Sequence, residues 1–171
     1  MQETVWLTEA MTYEGDILKL DRYPIMDKHC VGGVAGNRTT PIVVPIVAAA
    51  GLTIPKTSSR SITSPAGTAD TMEVLTNVCV DLKKMKKIVE KTNGCLVWGG
   101  SLNLSPADDK IIKVERPLSI DAESQLLASV LSKKASVSAN RLLIDIPIGQ
   151  GSKITHKEEA IKLMKVLSHF Q

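Results

Sequence analysis

Two periodicities of apolar residues divide the chain. Helical spacing marks helices at Val5, Trp6, Leu7 and Met11, ended by "YEGD", and at Leu82, Met85, Ile88 and Val89, where Gly94 is expected at the C-cap. The same spacing appears at Leu126, Leu127, Val130 and Leu131, after Asp121 as the expected N-cap, and at Ile161, Leu163, Met164 and Leu167, all expected to point inward. "TADTMEVLTNV" also reads as helical, and "IVVPIVAAAG" as a buried helix stopped by Gly51. Short apolar runs bounded by turn residues predict strands at "LTIPKTS", "CLVWGG" and "RLLIDIPIG". "DRYPIMDKHCVGGVAGNR" reads as a polar, Gly-rich loop, and "DKIIKVERPLS" as extended or irregular. Strands alternating with helices imply an α/β fold, a layered α/β/α sandwich with a mostly parallel or mixed sheet. Residues 1–20 read as the end of a helical region and 21–171 as one α/β domain.

Composition narrows the function classes. The 171 residues are 43% hydrophobic, enough for one sizeable core. Twenty-one Lys and Arg against 18 Asp and Glu leave a net charge of +3, spread along helices, and aromatic residues make up 3%. Neither a phosphate-backbone footprint nor a base-stacking platform is indicated, so no nucleic-acid partner is expected. Cys30, Cys79 and Cys95 are odd in number, without CxxC spacing or a histidine at zinc-ligand distance, which argues against a disulfide framework or a metal site. With no signal-like or membrane-length apolar run, a cytoplasmic protein without membrane contact is expected.

In α/β folds, ligands collect where strands end and Gly-rich loops begin. Three loops qualify: Asp27–Asn37 with Lys28, Gly32 and Gly33; the hydroxyl-rich "KTSSRSITSPAGTADT" from Lys56 to Thr71; and Pro147–Lys153. The first and third lack GxxxxGK[ST], which argues against a P-loop. The hydroxyl tract offers neutral donors with only Lys56 and Arg60 charged, a set that orients an anion while leaving it nucleophilic. It reads equally as capping and turn chemistry. Asp121, Gln125, Ser129 and Lys133 recur every four residues as a polar stripe, either a solvated face or a cleft wall. The histidines show no partner pattern.

"DKHCVGGVAGNRTT", "KTSSRSITSPAGTADTMEVL", "WGGSLNLSPADDK", "LLASVLSKK" and "IDIPIGQGSK" together resemble the thymidine phosphorylase family, more closely its archaeal branch of AMP phosphorylases. The resemblance implies the catalytic core shared by nucleoside phosphorylases and phosphoribosyltransferases. It also implies phosphorolysis of a nucleoside 5'-monophosphate in nucleotide salvage: AMP and phosphate give adenine and ribose 1,5-bisphosphate, with orthophosphate as co-substrate and no cofactor or metal. It implies phosphate at Lys28, Ser58 and Thr68. It implies nucleotide at Gly33, Ser59, Arg60, Ser61, Ile62, Thr63, Ser64, Thr68, Ser129 and Lys153. Asp121 is implied as proton donor, Lys133 as a contact to the base, and a homo-oligomer, dimer or larger, as the assembly. Cys30 stands where the family motif KHS has a serine, and a thiol is the weaker donor. The family extends beyond both ends, so the chain reads as the central region of a longer enzyme. Alternatives are a pyrimidine nucleoside phosphorylase, a non-catalytic nucleotide-binding module, and a Mg²⁺-dependent phosphoribosyltransferase using Asp108 and Asp109.

Overall fold

The computed structural model describes residues 2–32, 38–60, 67–118 and 122–168. Helix α1 (Gln2–Tyr13) leads to β1 (Met26–Cys30), α2 (Thr39–Ala49), β2 (Ile54–Ser58), α3 (Thr68–Glu73), α4 (Leu82–Thr92) and β3 (Gly94–Trp98). Then follow α5 (Pro106–Leu118), α6 (Glu123–Ser136), β4 (Arg141–Asp145) and α7 (Lys157–Leu167). Both strand pairs, β1 with β4 and β2 with β3, are parallel. A parallel bridge between Ile25 and Thr53, with the Met26 amide donating to the Thr53 carbonyl at 2.7 Å, ties the pairs together. All four strands are separated by helical crossovers, which is the α/β arrangement expected.

Local chemistry explains most boundaries. Asp81 caps α4 by accepting from the Lys84 amide at 2.7 Å, and Asn93, at φ 62°, ends it in the left-handed conformation. The expected C-cap Gly94 instead opens β3, where a Cβ would meet Ala48 Cβ at 3.1 Å and Ile54 Cγ2 at 3.2 Å. Gly51, at φ 83°, follows α2 as expected. The central core joins Met85 and Val89 of α4 to Cys95 and Val97 of β3, closed by Leu18, Val80, Leu102, Leu104 and Val137.

Further expectations are corrected. α2, expected to be a buried helix, exposes Ile42 and Ile46 because only one of its faces packs on the strands, and Trp6 of α1 faces solvent. "MDKHC" is a strand, not a loop: its polar side chains are buried by ion pairs, so no apolar alternation marks it. "DKIIKVERPLS" lies mostly in α5, started by Pro106 at its first position, where the missing N–H costs little, and stopped just after Pro117, which cannot donate to the carbonyl four residues back. In α7 only Ala160 and Leu163 are buried; Ile161 and Met164 face solvent because the covered row, Leu163 and Leu167, packs toward α6 and the β1–β4 pair. The N-cap of α6 is Ala122, and Asp121 itself lies outside the described residues. The hydroxyl tract is divided too, because Lys56 sits buried in β2.

Under the strands lies a buried charge cluster. Asp27 of β1 has a fully buried side chain, with Lys134 of α6 at 2.8 Å and Lys56 of β2 at 3.6 Å, and it accepts the Lys28 amide at 2.6 Å. Lys56 also donates to the Thr57 carbonyl. Burial raises the Asp27 carboxyl's pKa, but the two ammonium groups outweigh it and hold the group below its usual value. Burial pushes the Lys56 amine down to about 7 despite the attraction of Asp27.

The unfolded chain titrates Lys56 near the ordinary lysine value of about 10.4. Between about 7 and that value the unfolded state therefore holds the extra proton, and this group's contribution to stability rises with pH. Below about 7 both states are protonated, and the cost of burying the charge is constant. Lys56→Met should flatten the rise in unfolding free energy between about pH 7 and 9, and an unchanged slope in urea titrations would refute the assignment. Gly15 gives a second test: a Cβ there would lie 2.4 Å from the Leu104 carbonyl oxygen and 2.5 Å from that of Asn103, both backbone atoms. Gly15→Ala is expected to cost about 1–3 kcal/mol, or more, in denaturant unfolding, and a variant as stable as the parent contradicts that packing.

Candidate functional site

Parallel strands place their C-terminal ends, and the loops that follow, on one side of the sheet. At the end of β1 the Val31 amide donates to the Asp145 carbonyl of β4 at 2.9 Å, and the Lys153 amide donates to the Gly32 carbonyl at 3.4 Å. The first and third Gly-rich loops are thereby joined. Gly32, Gly149 and Gly151 all take positive φ, which is what lets these turns close. Beneath them Lys28 is buried. Its ammonium lies 3.3 Å from Asp145 Oδ2 and has no hydrogen-bond acceptor among the described residues. Burial, then the adjacent Asp145 carboxylate, pushes the Cys30 thiol up, so it stays protonated.

The β2 and β3 ends form the second half. The Ser58 hydroxyl donates to the Ser59 carbonyl at 3.4 Å, and the Ala69 amide of α3 returns to that same carbonyl. Arg60 forks onto Glu73 at 2.5 and 2.7 Å, pairs with Asp70 at 3.0 Å, and stacks 4.6 Å above the Trp98 ring. The hydrogen bonds Arg60 donates to Glu73 and Asp70 raise the guanidinium pKa, and those Glu73 accepts lower its own. Thr68 opens α3 directly after Gly67, whose amide donates to Asp70 Oδ2 at 3.0 Å. A Cβ on Gly99 would lie 3.7 Å from the Ser58 carbonyl, so the β3 loop runs alongside that of β2.

Helix α6 contributes Ser129, half-buried, and Lys133, which forms an ion pair with the buried Asp108 of α5. Between α6, α7 and the β1–β4 pair, a pocket lined by Val31, Leu126, Leu127, Val130, Ile144 and Leu163 encloses His29. Burial pushes the His29 pKa well down, and the charges of Lys134, Lys56, Lys133 and Lys28 push it further, so its imidazole is neutral.

Of the residues implied by resemblance, Lys28, Ser58, Ser59, Arg60 and Thr68 stand on adjoining strand ends, and Lys153 lies on the loop docked against Gly32. Ser129 stands apart on α6. Gly33, Ser61, Ile62, Thr63, Ser64 and Asp121 lie outside the described residues. Asp145, Trp98, Asp70 and Glu73 are partners that sequence reasoning missed; the position of Asp145 at the end of a strand beside a Gly-rich loop was the one available signal. Asp108 and Asp109 do not form an open pair, since Asp108 is buried against Lys133. Among the described residues no group of three or more His, Cys, Asp or Glu is placed to hold a metal, and no helix is long and apolar enough to cross a membrane.

Residues 22–142 match the family described as glycosyl transferase family, a/b domain. A putative thymidine phosphorylase of Acidovorax sp. (strain JS42) is 60% identical over 163 residues, 95% of this chain and 32% of that protein. AMP phosphorylase of Pyrococcus furiosus is 59% identical over 165 residues, 96% of this chain and 33% of that protein. The chain thus spans about a third of the length of these relatives. The crystal structure of anthranilate phosphoribosyltransferase from Thermus thermophilus superposes with a TM-score of 0.77 at 18% identity, over 98% of this chain and 48% of that one, and establishes likeness of fold. With more than half of its length matched by the family and the strand ends arranged as above, this chain belongs to the glycosyl transferase family and carries its α/β domain.

Proposed function

We propose that the chain carries the phosphate- and nucleotide-binding core of a nucleoside 5'-monophosphate phosphorylase acting on AMP. The observation that carries this reading is Lys28: a buried ammonium beneath joined Gly-rich loops, ion-paired with Asp145 at 3.3 Å but without a well-aligned hydrogen-bond acceptor among the described residues. A buried charge calls for hydrogen-bonding partners, and orthophosphate oxygens supply them. The Ser58 hydroxyl on the neighbouring strand end and Thr68 at the start of α3 add neutral donors, which hold phosphate without quenching its nucleophilicity. The P. furiosus AMP phosphorylase favours a nucleotide substrate.

In the reaction a phosphate oxygen attacks the anomeric carbon as the glycosidic C–N bond breaks. The bonding pair leaves with adenine, and Asp121 delivers the proton that neutralises the departing base. The transition state has oxocarbenium character, as in glycoside cleavage. Orthophosphate is the co-substrate, no cofactor is required, and a cytoplasmic homo-oligomer is the expected form. The Acidovorax relative favours a second reading, a pyrimidine nucleoside phosphorylase.

Base release from AMP, CMP, UMP and thymidine, with and without phosphate, separates these readings. Phosphate-dependent adenine release is expected. Faster release of thymine supports the second reading, and AMP binding without any release reduces the chain to a binding module. Asp121→Asn is expected to keep AMP affinity while kcat falls about 10²–10⁴-fold; unchanged turnover would remove Asp121 as the acid. Arg60→Ala is expected to raise the KM for AMP about tenfold, the scale of one charged hydrogen bond. A normal KM would leave Arg60 as a tether between the β2 loop and α3.

A further inference from the structure

A carboxylate stands beside the ammonium that is to hold phosphate. Asp145 is the last residue of β4, and its Oδ2 lies 3.3 Å from Lys28. The Cys30 thiol of β1 hydrogen-bonds to the same side chain, and the Asp145 carbonyl accepts the Val31 amide at 2.9 Å. Asp145 is thus tied to β1 through its side chain and its backbone together. Exposure within the pair is unequal: the Lys28 side chain is 4% exposed and that of Asp145 34%. The carboxylate is therefore the member of the pair that solvent, and any anion arriving from it, reaches more readily.

A carboxylate so placed repels an anion without a proton, both by like charge and by setting acceptor against acceptor. An anion that carries a proton donates it instead, in a short O–H···O⁻ hydrogen bond, while a neighbouring oxygen accepts from the ammonium. Orthophosphate at neutral pH keeps one or two protons, whereas sulfate, of the same tetrahedral shape, has none. A phosphate monoester, with a second pKa of about 6, is mostly stripped of protons as well. The 5'-phosphate of a nucleotide is such a monoester, so a site selecting by charge alone would admit the substrate's own phosphate in place of the nucleophile.

Resting on the proposed function, we infer that Asp145 determines specificity at the Lys28 site: its carboxylate accepts the remaining proton of orthophosphate and turns away sulfate and phosphate monoesters. Attraction of the right anion and repulsion of the wrong ones act through the same oxygen atoms. A site built to pair a hydroxyl discriminates strongly against an analogue that lacks it, because its own polar group is then left unpaired.

The test is equilibrium binding of orthophosphate, sulfate and methyl phosphate to this chain at neutral pH, with base release from AMP followed separately. The parent is expected to bind orthophosphate about tenfold more tightly than either other anion, the scale of one charged hydrogen bond. Asp145→Asn should erase most of that preference, chiefly by strengthening sulfate and methyl phosphate, because an amide donates where a carboxylate only accepts. Asp145→Glu should restore part of it, and Lys28→Gln should weaken orthophosphate binding about tenfold. A parent without preference for orthophosphate overturns the inference, and that measurement decides even if Asp145→Asn fails to fold. Equal strengthening of all three anions by Asp145→Asn overturns it too, since the carboxylate then only competes for Lys28, as does an orthophosphate affinity indifferent to Lys28→Gln. Base release that needs no phosphate removes phosphorolysis while leaving the anion preference to be judged by affinity; no orthophosphate binding by the parent removes both.

Discussion

The buried carboxylate of Asp27 is the constraint on which the rest of the arrangement depends. It stands at the second position of β1, accepts the next backbone amide, and faces ammonium groups from β2 and α6. Ordinary ladder pairing between β1 and β2 stops at one bridge, so this cluster and that bridge together hold the two strand pairs in place. Removing one partner of a buried ion pair typically costs about 3–5 kcal/mol, because a bare charge remains inside. Three separate chain segments must therefore arrive together, and their arrival places Lys28, the next residue, beneath the loops.

From there charge is distributed with a consistent logic. Cations near the strand ends are each matched from the protein side: Lys28 by Asp145, Arg60 by Asp70 and Glu73, Lys133 by Asp108. Such matching keeps long side chains from collapsing onto one another and turns flexible cations into oriented donors. His29, partly buried among apolar side chains and with several lysines nearby, is held neutral in the same field. The strand ends thus combine paired cations with neutral hydroxyls and amides on the neighbouring loops.

Sequence reading found the fold class and three of the four strands among the described residues, because β2, β3 and β4 carry β-branched or apolar runs next to glycines. It missed β1, whose sequence "MDKHC" is polar where a buried strand is usually apolar. That polarity is legible only once its partners are known, since Asp27 and Lys28 lie 29 and 117 residues from Lys56 and Asp145, as their positions show. α5 was missed for another reason. Its Ile111, Val114 and Leu118 do stand at helical spacing, but Pro117 within the run reads as a helix breaker. The inward row of α7 was misjudged because periodicity defines a broad face, whereas the one narrow neighbour covers only part of it.

The candidate site divides the same way. The three loops and the residues implied by resemblance were recognisable in one dimension, since glycines, hydroxyls and a lysine at short spacing are local signals. Their partners Asp145, Trp98, Asp70 and Glu73 were not, and Asp108 was read as half of a metal-binding pair, because an ion pair or a stacked ring leaves no periodic trace. By itself the sequence determined the elements whose cause is local: caps, glycine turns, amphipathic stretches and the alternation that specifies an α/β fold. Only tertiary structure decided which charges are buried and by what they are balanced, because the free energy of a buried charge depends on neighbours that chain order does not reveal.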